Sequence, residues 1–402
     1  MGETKPSALA VLDVSYFRNI LEALQRTFEE VTLVRRDLLT QEYSMTWYTR
    51  QREEGERHLP APVFPKPRVV SAVTRFGWHY LACPLLDLLL AFVGISRAQT
   101  RFNVFIATSC YDAVVGLFLR RVHLVGRVVY WAMDWLSLSR FRADLGLGRL
   151  LTFALFQHFD RFCAEHCDAT WDATSRIARA REARAAMLHS SIRYVRHKVI
   201  HPPVLLCRTI EKAQQTGKPT LVLVGRGVKA GQGIDLALDT LPFLIHMGFD
   251  ARLMVVSGSR TNLTEQERIL DYARRRGVEK QVVITGFVPT SKLRGILQGS
   301  TVGLSVFRDP NDVSNFAFPG KVVLYLESGL PVIVSKASAL ARDIEDSQAG
   351  VAIDYQKDDF IRAFLQILNH ESQYRLGVAK LVKTRLSGEI VEESLRSLVD
   401  AT

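Results

Sequence analysis

The sequence predicts an α/β protein made of two doubly wound parallel sheets, one in each half of the chain. Three observations carry this expectation. Short apolar, often β-branched runs such as ALAVLDV, VFIAT, TLVLV and VVIT recur along the chain, each bounded by polar or glycine-bearing turns. Helix-length segments separate them, and strands alternating with helices make parallel sheets covered on both faces. Pro202-Pro203 and a polar segment to Pro219 interrupt the alternation near the middle, and 402 residues exceed what one core organises.

Ala8–Val14 reads as a buried strand, followed by a helix over Phe17–Glu29 and a strand at Val31–Val34. Residues 41–59 are dense in charge and read as an amphipathic or loosely ordered insertion, and PAPVFPKP at 60–67 as a rigid connector. Tyr80–Ile95, the most apolar run, is shorter than the roughly 20 residues of a spanning helix and carries Pro84 and Asp87. Two readings stand for the helix Trp78–Ile95: a buried core element, or an interfacial segment flanked by Arg75, Arg97 and Arg101. Strands follow at Val104–Thr108, Val128–Trp131 and Ala169–Trp171, with helices Tyr111–Arg121 and Leu147–Glu165 between them. The Arg-rich helix Arg176–Met187 leads to Val199–His201 and Pro202-Pro203, which close a first domain at residues 1–203, and 204–219 form the linker.

The second domain, residues 220–370, repeats the pattern. Strands are expected at Thr220–Val224, Ala251–Ser257, Val282–Thr285, Val302–Val306 and Val332–Val334. Helices are expected at Ile234–Met247, Thr264–Gly277, Ser291–Gly299 and Lys321–Ser328, and helices over 371–402 are expected to pack back toward the first domain. Open α/β sheets bind ligands beyond the carboxyl ends of their strands, so a cleft between the halves is the expected site.

The net charge is +11 with a sequence pI of about 9.5, and the excess is uneven: residues 1–200 hold 27 Lys and Arg against 19 Asp and Glu. Nucleic acid is not the expected partner, because the cations are scattered without an aromatic-basic stripe. An anionic membrane surface or phosphate-bearing ligand fits better. Five cysteines at no metal-like spacing read as reduced, structural thiols, and MGETKPS lacks the order of a secretory signal. A cytoplasmic protein, peripheral at the inner membrane face, is the expectation.

Two glycine-bearing loops point to anion capture. Gly225-Arg226-Gly227-Val228-Lys229-Ala230-Gly231-Gln232-Gly233 follows a strand and opens a helix; it reads as a phosphate-wrapping loop or as a turn. It matches neither a Walker A loop nor GxGxxG. The second loop, Ser314–Lys321, enters a helix through Phe318-Pro319-Gly320, where free amides, the helix dipole and Lys321 favour a phosphate. One diphosphate could bridge the two.

The segments VLVGRG…GQGIDLAL, RLMVVSG, VVITGFVPTSKL, STVGLSVF and PGKVVLYLESGLPVIVS, in this order, resemble the glycosyltransferases of the GT-B fold, in particular the retaining family-4 group 1 enzymes that use nucleotide sugars. YWAMDW and CDATWDATSRIARAR carry a thinner resemblance in the first half. The resemblance implies two Rossmann-like domains about a cleft. Arg226 would neutralise the donor diphosphate, and Gly286 and Phe287 would lie near the base. Asn315, Phe316 and Ala317 would offer amides to the sugar or phosphate.

Three departures stand out. Gln232 replaces the usual Lys before the helix glycine, and Phe316 and Leu324 occupy the two carboxylate positions of the Glu-x7-Glu motif. Glu327 lies about 60° around the helix from the second of these; it reads as a shifted substitute or as a solvated surface residue. Asp134, after YWAM, is the candidate carboxylate for the acceptor or sugar, or else a helix cap. The expected function is metal-independent transfer of a sugar from a nucleoside diphosphate donor, a substrate rather than a cofactor, to a glycan or lipid-linked acceptor. The alternative is a catalytically degenerate GT-B protein that binds sugar nucleotides or serves as a partner subunit.

Overall fold

The computed structural model describes residues 7–13, 17–37, 42–49, 52–59, 101–136, 147–206, 218–225, 232–257, 263–308 and 315–400. The chain divides into two compact units: Met1–Pro203 with Phe316–Phe318 and Gly388–Thr402, and Val204–Asn315 with Pro319–Ser387. Helix Trp78–Ile95 and the connector at 60–67 lie outside the described residues.

In unit 1 the strands are β1 (Ser7–Asp13), β2 (Glu30–Asp37), β3 (Glu42–Thr49), β4 (Arg52–Leu59), β5 (Phe102–Ala107), β6 (Val125–Ala132), β7 (Ala169–Asp172) and β8 (His197–Val199). They form one sheet in the order β4-β3-β2-β1-β5-β6-β7-β8. From β2 to β8 every neighbour pair is parallel, and the winding reverses between β1 and β5. The helices are α1 (Phe17–Thr27), α2 (Cys110–Arg121), α3 (Leu147–His166) and α4 (Ser175–Met187).

The described residues of the 41–59 insertion, 42–49 and 52–59, are strands and not loosely ordered. β3 pairs antiparallel with β2, Val34 opposite Met45, and with β4, Met45 opposite Arg57. The alternation of Tyr43, Met45 and Trp47 has the period of a strand. β4 hides from that reading because Arg52-Glu53-Glu54-Gly55-Glu56-Arg57 has no apolar residue. Charge is how edge strands discourage pairing with foreign chains.

A charged network is buried behind β7. Arg181, 2% exposed, donates to Asp160 at 2.7 and 2.9 Å and to both oxygens of Asp172 at 2.8 Å. Tyr130 Oη donates to Asp160 at 2.7 Å, and His197 Nε2 lies 2.8 Å from Asp172. Burial without partners would be costly, and each carboxylate here has the guanidinium. The two carboxylates, first Asp160, raise the Arg181 pKa against its desolvation. Cys110, Cys163 and Cys167 are buried free thiols, Cys163 donating to the Cys110 carbonyl at 3.2 Å, and burial pushes Cys110 and Cys163 up.

Unit 2 carries β9 (Thr220–Gly225), β10 (Arg252–Ser257), β11 (Val282–Gly286), β12 (Val302–Ser305), β13 (Val332–Ser335) and β14 (Gly350–Ile353). Their order is β11-β10-β9-β12-β13-β14, every neighbour pair parallel. The helices are α5 (Ile234–His246), α6 (Leu263–Arg275), α7 (Thr290–Gln298), α8 (Gly320–Glu327), α9 (Ala341–Asp346), α10 (Lys357–Asn369) and α11 (Glu371–Arg385). Leu221, Leu223 and Leu304 of the central strands, Leu238 and Leu241 of α5, and Phe360 and Phe364 of α10 share one core.

The C-terminal helices divide. α11 stays with unit 2, whereas α12 (Gly388–Val399) packs on α1 of unit 1, burying Val391, Leu395 and Leu398. The Arg127 guanidinium donates to the Leu398 carbonyl at the C-terminal end of α12, where a cation is favoured.

Candidate functional site

The site in unit 2 begins with its topology. β9, β10 and β11 wind to one side and β12, β13 and β14 to the other, so the strand order reverses between β9 and β12. At such a switch point the loops beyond the strands diverge and leave a crevice. β9 and β12 pair through Leu221–Val302 and Val222–Gly303. Further along, the Val224 amide donates to the Tyr325 hydroxyl at 3.0 Å, and that hydroxyl donates to the Leu304 carbonyl at 3.1 Å.

The described ends of the two glycine-bearing segments, Gly225, Gln232 and Gly233 of the first and Gly320 and Lys321 of the second, lie at this edge. Gly225 ends β9, and Gly233 caps α5 with φ +88°, a left-handed conformation that suits glycine. Lys321, in the first turn of α8, places its ammonium 3.3 Å from Gln232 Oε1 and 5.7 Å from the centre of the Phe307 ring. A cation thus arrives in space at the residue where the resembled family carries its own lysine. Arg226 and Gly227 lie outside the described residues.

The two helix starts are not equivalent. At α5 the Gly233 amide donates to the Tyr355 hydroxyl at 3.3 Å, and Tyr355 in turn donates to Asp235, which also pairs with Arg308. Arg308 lies 5.2 Å over the Tyr355 ring. The first turn of α5 therefore already holds an anion, the Asp235 carboxylate. Desolvation, and then the hydrogen bond to Asp235, raise the Tyr355 pKa. α8 begins at Pro319 with no side-chain cap and no acid in its first turn. Gly320, Lys321 and Val322 precede its first intrahelical bond, from Val323 N–H to the Pro319 carbonyl at 3.2 Å.

The remaining sequence candidates fall as follows. Leu324, one turn after Gly320, is half-buried, where the resemblance puts a ribose-gripping carboxylate. Glu327 is the last residue of α8, about 10 Å of helix rise from Gly320. Gly286 ends the edge strand β11 with φ +67°, and Phe287 beyond it is 57% exposed. Asn315 is buried in unit 2. Phe316 and Ala317 belong to unit 1, where the Phe316 carbonyl accepts from Thr174 Oγ1 at 2.7 Å. Asp134 is exposed two residues past the end of β6.

Sequence reasoning missed Asp235, Arg308, Tyr325 and Tyr355. Tyr325 lies within an apolar helix and reads as core, and the other three are far apart in sequence. The small-residue strand STVGLSVF held the one available signal, Gly303 against the Tyr325 ring. Among the described residues no group of three or more His, Cys, Asp or Glu could hold a metal ion, and no helix is long and apolar enough to cross a membrane.

Two doubly wound units, the second in full dinucleotide-fold order, define the GT-B architecture of glycosyltransferases. Residues 218–370 match the family described as Glycosyl transferases group 1. That match covers most of the second unit, and solved structures share the fold of the whole chain. Among solved structures, a sucrose-phosphate synthase from Thermosynechococcus elongatus is similar over 99% of this chain and 100% of its own, with TM-score 0.68 and 16% identity. HepE from Anabaena, in complex with UDP and glucose, matches at TM-score 0.62 and 12% identity over 99% of this chain and 100% of its own. A glycosyltransferase from Rickettsia africae matches at TM-score 0.61 and 10% identity over 99% of this chain and 98% of its own. No curated protein sequence matches the chain.

Proposed function

We propose that the enzyme transfers a sugar from a nucleoside diphosphate sugar to a glycan or lipid-linked acceptor in cell-surface polysaccharide or glycolipid synthesis. One observation carries the reading: the Lys321 ammonium on Gln232 joins the uncapped start of α8 to the loop after β9 at the switch point of unit 2. Charge developing on the leaving diphosphate would meet Lys321, Arg226 and the first amides of α8, a preorganised cationic site that needs no metal ion. HepE, solved with UDP and glucose, supports a nucleotide-sugar donor. Gly286 and Phe287 are assigned to the base, and Asp134 to the acceptor or sugar.

The basic first half supports a cytoplasmic enzyme resting on an anionic membrane surface. A second reading, a sugar-nucleotide-binding protein without transfer activity, draws on Leu324 and Phe316 at the two carboxylate positions.

Calorimetric titration with UDP and GDP tests the donor site. One of them is expected to bind, and Lys321→Ala to weaken it at least about tenfold, 1.4 kcal/mol; an unchanged affinity removes the diphosphate assignment. Release of nucleoside diphosphate from a UDP- or GDP-sugar separates transferase from binding protein: binding without release with any common donor favours the second reading.

A further inference from the structure

At the switch point the two central strands are held apart by a hydroxyl. A direct bond between the Val224 amide and the Leu304 carbonyl would bring them to about 2.9 Å. The Tyr325 hydroxyl stands between them instead, accepting at 3.0 Å and donating at 3.1 Å. Parallel strands that would otherwise zip together are therefore kept one oxygen atom wider.

The side chain is fully buried, and the room for it is specific. A Cβ on Gly303 of β12 would lie 2.5 Å from the Tyr325 ring, so only glycine admits the ring at this height. Burial raises the Tyr325 pKa, which keeps the hydroxyl protonated and able to donate.

Its place in the chain gives the bridge a functional reach. Val224 precedes Gly225 of the first loop, and Tyr325 lies one helical turn after Lys321 on α8. We propose that Tyr325 is a positioning residue for the donor diphosphate: its hydroxyl fixes the width of the switch point and so the spacing between Gly225 at the end of β9 and the first turn of α8. It touches no substrate itself. The inference rests on the donor reading above and names what holds that site in register.

The test compares nucleoside diphosphate with monophosphate. Whichever of UDP and GDP binds the wild-type protein is titrated beside its monophosphate. Tyr325→Phe keeps the ring and removes the bridge; it is expected to cut the preference for diphosphate over monophosphate about tenfold, with monophosphate affinity little changed. Tyr374→Phe on α11 removes a hydroxyl that accepts from Gln366 at 2.6 Å, the same chemical change away from the switch point, and is expected to leave the preference intact.

A general loss of stability moves both affinities together, whereas a positioning role moves their ratio. Amide exchange over residues 220–225 supplies a second readout and should accelerate in Tyr325→Phe. A wild-type protein that binds neither nucleotide overturns the donor reading and this proposal with it. Diphosphate binding with an unaltered ratio in Tyr325→Phe, or unchanged exchange over 220–225, overturns the positioning role alone.

Discussion

At the scale of single residues, the same physics serves two ends of the molecule. In unit 1, Arg181 balances two carboxylates that have left water altogether. Arg181→Met keeps much of the volume and removes the charge, leaving Asp160 and Asp172 buried together. Breaking such a pair costs about 3–5 kcal/mol, and urea unfolding of the full chain should show a loss of that order. A change below about 0.5 kcal/mol, typical of surface sites, would mean that water reaches the carboxylates. In unit 2, by contrast, Arg308 pairs with Asp235 in the first turn of α5 and Lys321 with Gln232, both beyond the ends of the sheet strands.

Residue-level legibility followed spacing in the sequence. Gly233, Gly320 and Lys321 announced themselves because a helix start is a local pattern of glycine, proline and charge. The exchange of Gln232 for lysine looked like a loss until α8 was seen to deliver Lys321 to the same spot. Asp235, Arg308 and Tyr355 are 120 residues apart at the extremes, and no local pattern joins them. Tyr325 reads as one apolar residue among several, since a hydroxyl's partners are set by the fold alone.

At the scale of elements, parallel strands with continuous apolar runs were legible because both faces of the sheet are covered. β3 and β4 were not, since an edge hairpin carries charge where a central strand carries valine. β14 is a short run, Gly350–Ile353, and escaped notice beside the helices that follow it.

The contrast between α5 and α8 is also an element property. One helix start is filled by its own carboxylate and the other has neither a side-chain cap nor an acid in its first turn, though both follow a glycine-bearing segment. α5 depends on a left-handed turn at its cap, so Gly233→Ala is expected to cost about 1–2 kcal/mol and to lower the thermal unfolding midpoint of unit 2 without altering unit 1. An unshifted midpoint would show that the loop relaxes to another turn.

At the scale of the whole molecule, the two-sheet GT-B plan was read from alternation and one proline-bearing break, and the helices over 371–402 were expected to pack back toward the first domain, of which α12 does so. Unit 1 contains α12, so the chain leaves unit 1 at Pro203 and returns to it at Gly388. Beside the first crossing, the Val204 amide donates to the Leu386 carbonyl at 2.8 Å, so the outgoing and incoming segments of unit 2 are clasped. Unit 2 is thus an insertion in unit 1. Truncation after Ser387 should strip the apolar cover from α1 and unfold unit 1 at a lower denaturant concentration, while unit 2 keeps its own transition; a single unaltered transition would show that α12 is dispensable.

The return of α12 also orders events in time. A chain emerging from the ribosome presents β1 and α1 well before the helix that covers α1, because all of unit 2 lies between. Throughout synthesis of unit 2 the face of α1 that receives α12 has no lasting cover, although every strand of the unit 1 sheet has already been made. Folding of the first domain is therefore a closing event, gated by the arrival of Val391, Leu395 and Leu398, and a chain broken off early exposes the surface that chaperones and proteases recognise.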